Sequence, residues 1–232
     1  MDTIQKTKFI SIWIFLIPFI AINTCLILIT EFQWLFPDRE DLIHNTFPYF
    51  DGGASISRTV RPYPSWLIFK PAMFLTSFFL IKYWYYTKDI IINFNKDHKH
   101  IKKIIFFGVG SAIALTIHSI FLGIKFDNEL YKAFRRLIMF VFITFEVTAQ
   151  AYLVGALYSF KNQLIKFINV KVLRLKLILV ITLIIVAIIA IPLISWPGNQ
   201  FKFLKHLLEW DYFLGVITFY LLTFFMWKKK IN

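Results

Sequence analysis

The chain has 232 residues, of which 58% are hydrophobic and 19% aromatic, so it is far more apolar than a soluble domain. Its formal net charge of +13 would suggest nucleic acid in a soluble protein, but here the lysines flank apolar runs. That arrangement is the orientation signal of a membrane protein, so we expect no nucleic-acid partner. The single cysteine, Cys25, excludes an intramolecular disulfide and gives no basis for a cysteine-based metal site.

Six stretches are long and apolar enough to cross a membrane, since a spanning helix needs ~20 apolar residues. The first run is too long for a signal peptide and lacks a small-residue cleavage site, so we interpret it as a retained helix. The connectors are short, which predicts one domain over residues 1–232. The predicted fold is an all-α integral membrane protein, a six-transmembrane-helix bundle. Its helices are predicted at about 9–30, 66–86, 104–124, 137–160, 177–196 and 210–227.

Three local features of these helices carry structural expectations. Pro192 removes a backbone donor and predicts a kink or an end of the fifth helix near the membrane edge. Gly108, Gly110 and Ser111 are small residues near the start of the third helix and favour close helix packing. The aromatic residues 83–86, at the end of the second helix, are typical of the belt at headgroup depth.

The distribution of lysine and arginine predicts the orientation. Of 26 such residues, 16 fall on the side of the N-terminal tail, the second and fourth connectors and the C-terminal tail, Lys176 among them. The excess predicts that both termini are cytoplasmic and that the first connector faces the lumen or the exterior. We expect a multi-pass protein of the ER, Golgi or lysosome in a eukaryote, or of the plasma or inner membrane in a bacterium.

His118 and Glu146 are ionisable residues at membrane depth, which makes each a functional candidate. Helix geometry places them roughly 9 and 14 Å below the outer edge, close enough in depth to pair directly or through water if their helix faces meet. Gln150 is one turn from Glu146, with Thr116 and Tyr152 as further polar neighbours. One interpretation is a polar cavity that opens outward and relays protons. The other is a buried hydrogen-bonded pair, or a protonated Glu146, that only fixes helix packing.

The polar stretch before the second helix gathers the second set of candidates. Its Asp-Gly-Gly sequence is a turn signal, and its arginines can hold a lipid phosphate in bidentate fashion. A lid or headgroup contact is one interpretation, and a solvated loop with non-specific headgroup contacts is the other. The candidates for the headgroup or lid loop are Asp51, Ser55, Ser57, Arg58 and Arg61.

Common catalytic signatures are missing from the sequence: it has no GxSxG, HExxH, P-loop or HxxxxD motif. His98 and His100 form a His-x-His pair, but a basic surface segment without acidic or cysteine partners explains them better than a metal site. We therefore expect no metal, no cofactor and no firm catalytic residue, although His118, Glu146 and Gln150 remain candidates for one.

Two short patterns, one before the second helix and one at the last helix, resemble the Frag/DRAM/Sfk family. That family includes damage-regulated autophagy modulators and the N-terminal domain of GPI-anchor lipid-remodelling proteins. The resemblance implies a role in GPI-anchor lipid remodelling, phospholipid distribution, phosphoinositide-kinase recruitment or autophagy, and it implies no catalytic residue. The matching residues are Pro48, Tyr49, Asp51, Gly52, Pro64 and Phe69 in the first pattern, and Glu209, Trp210, Phe213, Tyr220, Thr223 and Phe224 in the second.

The leading hypothesis is therefore a lipid-handling or membrane-organisation factor rather than an enzyme. Its expected ligands are membrane lipids, including anionic headgroups, and a membrane-protein partner is compatible with it. An intramembrane lipid-modifying enzyme that uses His118 and Glu146 as acid and base is one alternative. A small transporter or channel subunit that uses the same polar pair is the other.

Overall fold

The computed structural model describes residues 2–38, 42–43, 46–95, 99–124, 128–195 and 201–228. These residues form helices joined by turns, and they hold one isolated β-bridge, between Ile168 and Trp227. A 3₁₀ turn at Gln33–Leu35 follows the first helix. The helices are α1 Thr3–Glu31, α2 Pro48–Asp51, α3 Ile56–Val60, α4 Ser65–Phe94, α5 Ile101–Phe121, α6 Glu129–Ser159, α7 Lys161–Leu164, α8 Val170–Ser195 and α9 Lys202–Met226.

The six long helices α1, α4, α5, α6, α8 and α9 are each long and apolar enough to cross a membrane. Each packs against the next in the order α1, α4, α5, α6, α8 and α9, and α9 packs against α1, so the bundle is a closed ring. The predicted all-α, six-helix membrane bundle is confirmed. The protein is a multi-pass integral membrane protein.

Most of the long helices run beyond the predicted apolar segments. For example, α6 begins at Glu129 rather than 137, and α4 ends at Phe94 rather than 86. Apolar length measures only the part that hydrocarbon covers, whereas the helix continues with polar residues outside it. In contrast, α5 ends at Phe121, before the predicted 124, because Leu122 is extended and Gly123 has a φ of 84°.

Two outcomes were expected at Pro192, a kink or a helix end. The helix passes Pro192 and is described as far as Ser195, so it does not end at the proline, and the kink stays a prediction. Pro18 and Pro71 also lie inside helices, in α1 and α4. Helix–helix packing in a membrane tolerates such prolines, since neighbouring groups satisfy the freed carbonyls. Residue 196, the expected end of this helix, lies outside the described residues.

The expected aromatic belt at the end of the second helix is only partly present. Tyr85 is exposed, but Tyr83 and Trp84 are 1% and 0% exposed and lie in the core. Trp84 packs where a side chain on Gly108 would clash, and Phe145 packs in the same way on Gly110. The small-residue patch of α5 is therefore a packing surface, as predicted, and it explains why a tryptophan fits inside the ring.

Both ends of the described chain lie at the same end of the bundle. Lys8 Nζ, in α1, donates to the carbonyl of Trp227, just after α9, at 2.8 Å. The amide of Asn169 donates to the Met226 carbonyl, and that of Lys228 to the Phe167 carbonyl, which joins the fourth connector to the same place. We call this the terminal end and the other the loop end. That the terminal end is cytoplasmic stays a prediction.

Candidate functional site

A cluster of four polar side chains from α5, α6 and α9 lies inside the ring, and we call it the central polar cluster. Glu146 is 1% exposed and accepts three hydrogen bonds. Ser111 Oγ donates to its Oε2 at 2.7 Å, and Gln150 Nε2 donates to its Oε1 at 2.9 Å. The Tyr220 hydroxyl also donates to Oε1. Gln150 Nε2 makes a further bond to the Val216 carbonyl, so the cluster ties three helices together.

The structure does not bring His118 and Glu146 together as a hydrogen-bonded pair. On α5 it is Ser111 that bonds Glu146, and His118 lies seven residues further along that helix, about 10 Å towards the loop end. Gln150 does neighbour Glu146, as predicted. Thr116 bonds a carbonyl of its own helix, and Tyr152 stacks on Phe107, so neither belongs to the cluster. The predicted acid–base pair is wrong as a direct contact, because the two side chains lie at different depths.

Next to the central polar cluster, towards the terminal end, Lys176, Thr223 and Tyr83 form a second group, the lysine branch. Lys176 is 0% exposed, and its Nζ donates to Thr223 Oγ1 at 2.6 Å and lies 3.8 Å from the Phe219 ring centroid. The Tyr83 hydroxyl is 3.3 Å from the same Thr223 oxygen. Lys176 was expected to lie in a connector at the membrane surface, but it is fully buried. It therefore does not belong among the surface lysines that were counted to predict the orientation.

A small cavity continues this polar line towards the terminal end. Its volume is about 10 Å³, which is the order of space that one water molecule needs. Tyr83, Thr87, Thr223 and Trp227 line it, with Thr7 of α1. Among the described residues, Thr87 Oγ1 and Trp227 Nε1 have no hydrogen-bond partner, although both residues are buried. Buried polar atoms of this kind are usually satisfied by ordered water.

At the loop end, Asp51 organises a short helical turn. Its Oδ1 accepts from Thr46 Oγ1 and from the Gly53 amide, and its Oδ2 accepts from the Phe47 amide, each at 2.7 Å. Desolvation opposes ionisation, but these hydrogen bonds outweigh it and lower the pKa of Asp51. Gly52 ends α2 with a φ of 61°, a conformation that a β-carbon disfavours. The Asp-Gly turn that the sequence predicts is confirmed.

This turn packs against the start of α9, so the two patterns that carry the family resemblance meet. Trp210 Nε1 donates to the Ala54 carbonyl at 2.8 Å, and the Trp210 ring lies 4.8 Å from that of Tyr49. His206 Nδ1 is 2.9 Å from the Gly52 carbonyl. The Glu209 carboxylate accepts hydrogen bonds from the backbone amides at the start of α3.

Burial of the Tyr49 hydroxyl raises its pKa. A hydrogen bond with Asn23 opposes this effect, and the negative charge of Asp211 adds to it.

The other motif positions belong to the same end. Pro48 is buried at the start of α2, and Pro64 follows a cis peptide bond just before α4. Ser55 caps α3 by accepting from the Arg58 amide, and Ser57 Oγ accepts from Arg61. The polar side chains of Ser55 and Ser57 therefore form hydrogen bonds within the loop itself.

The two predicted headgroup arginines have different surroundings. Arg58 Nη2 donates to the Leu42 carbonyl at 3.2 Å and so fixes the loop. Arg61 lies at the end of α3, and both it and Arg135 of α6 are near enough to His118 to act on it electrostatically. His118 is 7% exposed, and its Nδ1 has no hydrogen-bond partner among the described residues. We call Arg61, His118 and Arg135 the basic end.

Sequence reasoning missed four residues of the polar interior: Tyr83, Lys176, Tyr220 and Thr223. Lys176 sits at the edge of an apolar run, where an orientation lysine is expected, and Tyr83 sits among belt aromatics. Tyr220, Thr223 and Trp227 are spaced i, i+3 and i+7, which places them on one helix face. That spacing was a usable signal of a polar stripe inside α9, and the resemblance named two of its residues without a role.

The terminal-end cavity and the basic end lie towards opposite ends of the bundle. Comparisons of the chain with protein-family models, with curated proteins and with solved structures found no match. The Frag/DRAM/Sfk resemblance is therefore an untested prediction. Within the described residues, no group of three histidine, cysteine or acidic side chains is placed to hold a metal ion.

Proposed function

We propose that this protein is a lipid-handling or membrane-organisation factor that binds anionic lipid headgroups at its loop end. The basic end carries the proposal: Arg61, which follows α3, and Arg135 of α6 both act electrostatically on the buried His118 of α5. Phosphate oxygens suit such a group, since guanidinium donates two parallel hydrogen bonds and imidazole can donate a third.

The position of the basic end supports a lipid rather than a soluble ligand. Arg61 immediately precedes the turn into α4, and Arg135 lies in the part of α6 before the predicted apolar segment, so both are at the edge of the membrane-spanning region. Lys70, one turn inside α4, adds a further cation and donates to the Ile120 carbonyl. Cations at this depth meet the headgroup layer of one leaflet.

The family resemblance supports the same class of function. Its two patterns meet where Trp210 and His206 hold the Asp51–Gly52 turn, beside the elements that carry Arg61. Lipid remodelling, phospholipid distribution and autophagy modulation are the roles that the resemblance suggests, in an endomembrane if the source is a eukaryote. A membrane-protein partner that shares the bound lipid fits these roles.

The lipid composition of cells with and without the protein tests this proposal. We expect the distribution or remodelling state of an anionic or phosphate-bearing lipid to change when the protein is absent. The double variant Arg61→Gln/Arg135→Gln should reproduce the change, whereas Arg174→Gln, an exposed arginine of α8 near the terminal end, should not. An unchanged lipidome in the absence of the protein would contradict the proposal.

A small transporter or channel subunit is the second candidate, and the ionisable interior favours it. Glu146 and Lys176 both lie inside the ring at full burial, and such groups in membrane proteins commonly mark ion or proton pathways. Ion or proton flux into vesicles that contain the purified protein distinguishes this candidate, because a lipid-binding factor without a transport role produces none.

A further inference from the structure

The central polar cluster fits two protonation states of Glu146 without moving a heavy atom. Ser111 has one hydroxyl proton but two acceptors within reach, Glu146 Oε2 at 2.7 Å and the Gly108 carbonyl at 2.8 Å. With Glu146 ionised, Ser111 donates to the carboxylate. With Glu146 protonated, the carboxyl donates to Ser111, which then donates to Gly108.

The remaining partners of Glu146 keep their roles in both states. Tyr220 and Gln150 donate to Oε1 whether or not Oε2 carries a proton. A cluster built only for packing needs one protonation state, whereas this one satisfies each donor of Ser111, Gln150 and Tyr220 in both. The geometry thus permits proton binding and release at a fully buried position.

The lysine branch and the cavity lie between the central polar cluster and the terminal end. The ring of Tyr220 touches that of Tyr83, with centroids 4.9 Å apart, and the Tyr83 hydroxyl approaches Thr223. Both Tyr83 and Thr223 line the cavity, where Thr87 Oγ1 and Trp227 Nε1 are buried and, among the described residues, without a partner. Two such atoms around a water-sized space make a site for one ordered water.

We propose that Glu146 is an exchangeable proton site, filled from the terminal end through a water molecule held between Thr87 and Trp227. A hydronium ion in the cavity gives up one proton and becomes neutral water. That proton forms a new O–H bond at Glu146 Oε2. The charge of the interior rises by one, and no other bond is broken.

Several titratable or charged groups surround this site, and each belongs to a different helix. Tyr220 of α9 bonds the carboxylate directly, and Tyr83 of α4 contacts the Tyr220 ring. Lys176 of α8 lies in the same interior, where its Nζ donates to Thr223 Oγ1. His118 lies two turns away on α5, and Lys8 of α1 donates to Trp227 beside the cavity.

Infrared difference spectroscopy of the full chain in lipid vesicles tests the proton site. We expect a protonated-carboxyl C=O band that appears as the pH falls and shifts in D₂O. Glu146→Gln should remove one component of this band, and Glu209→Gln, at the loop end, should leave that component in place. A band in Glu146→Gln identical to that of the unaltered chain, or a Glu146 component that responds neither to pH nor to D₂O, would overturn the proposal.

A second variant keeps the test decisive if Glu146→Gln fails to fold. Ser111→Ala removes the hydroxyl that accepts from protonated Glu146, so the band should move to higher frequency rather than vanish. An unchanged band in Ser111→Ala would show that the carboxyl proton does not lie on Oε2 towards α5, contrary to the proposal.

The rate of deuterium exchange tests the route. After a switch to D₂O, the band should shift more slowly in Thr87→Val than in the unaltered chain. Thr76→Val is the matched control, since Thr76 is also buried in α4 but bonds the Ala72 carbonyl. Equal rates in Thr87→Val and in the unaltered chain would overturn the terminal-end route.

Discussion

The central polar cluster and the basic end both place ionisable side chains inside one bundle, but they satisfy them differently. Glu146 accepts hydrogen bonds from donors on three helices, although Gln150 Oε1 in the same cluster has no partner among the described residues. The basic end places two arginines, Arg61 and Arg135, within electrostatic range of His118, whose Nδ1 has no partner among the described residues. Buried polar groups that hydrogen-bond to one another hold the helices of a bundle together, whereas neighbouring basic side chains can bind an anion from outside. The central polar cluster therefore stabilises the fold, and the basic end is suited to bind a ligand.

The largest expected effect comes from removing the acceptor at the centre of the cluster. Glu146→Leu should lower the free energy of unfolding by about 3 kcal/mol, because each buried donor left without an acceptor costs about 1–3 kcal/mol. The thermal unfolding midpoint in detergent measures this. If the midpoint stays unchanged, the cluster does not stabilise the bundle and the contrast with the basic end fails.

Gly52→Ala should have the next largest effect, at the loop end. Its positive φ and the nearby Phe203 carbonyl leave no room for a β-carbon, so the turn should lift off α9 at a cost of about 2 kcal/mol. Faster hydrogen exchange over residues 46–56 would show the loss. Gly155→Ala is the control, since a β-carbon there meets nothing within 4 Å.

Lys176→Met should change stability little, within about 1 kcal/mol, because an apolar side chain of similar size replaces a fully buried amine that donates to Thr223. Thr223 keeps its bond to the Phe219 carbonyl in the variant. We compare the unfolding midpoints of Lys176→Met and Glu146→Leu to find which of the two buried side chains contributes more to stability. A loss as large as that of Glu146→Leu would mean that Lys176 also holds the fold together.

Acid should weaken the loop turn through Asp51. Its pKa is lowered in the folded state, so its stabilising effect is present above the ordinary carboxyl pKa and is lost as the pH falls through the folded value. Hydrogen exchange of the Phe47 and Gly53 amides should therefore accelerate at low pH. Asp51→Asn should remove this pH dependence, while Glu31→Gln, at the exposed end of α1, should retain it.

The membrane fold could be predicted from the sequence, but the partners within its interior could not. Apolar length alone gives six helices, because hydrocarbon thickness sets that length. The partner of Glu146 depends on how the helices rotate and on their order around the ring. These are fixed by contacts such as Trp84 on Gly108, which a single sequence does not reveal. Lys176 and Tyr83 looked like surface residues for the same reason.

The loop end could be predicted more fully, because its signals are local. The Asp51–Gly52 turn follows from two adjacent residues, and it was found where expected. The sequence did not predict that Arg58 and Arg61 have different surroundings. Arg58 donates to the Leu42 carbonyl, whereas Arg61 acts electrostatically on His118. Only the fold shows that Arg135, distant in sequence, completes the basic end.

Lipid selectivity of the purified protein in bilayer nanodiscs tests the central claim most directly. Native mass spectrometry of the lipids that remain bound should show a preference for anionic over zwitterionic phospholipid. Arg61→Gln/Arg135→Gln should reduce it by about 1 kcal/mol for each arginine, and added salt should weaken it. Arg58→Gln should keep the preference, because Arg58 donates to the Leu42 carbonyl and is not one of the two arginines that act on His118. Equal retention of both lipid classes by the unaltered chain would contradict the account.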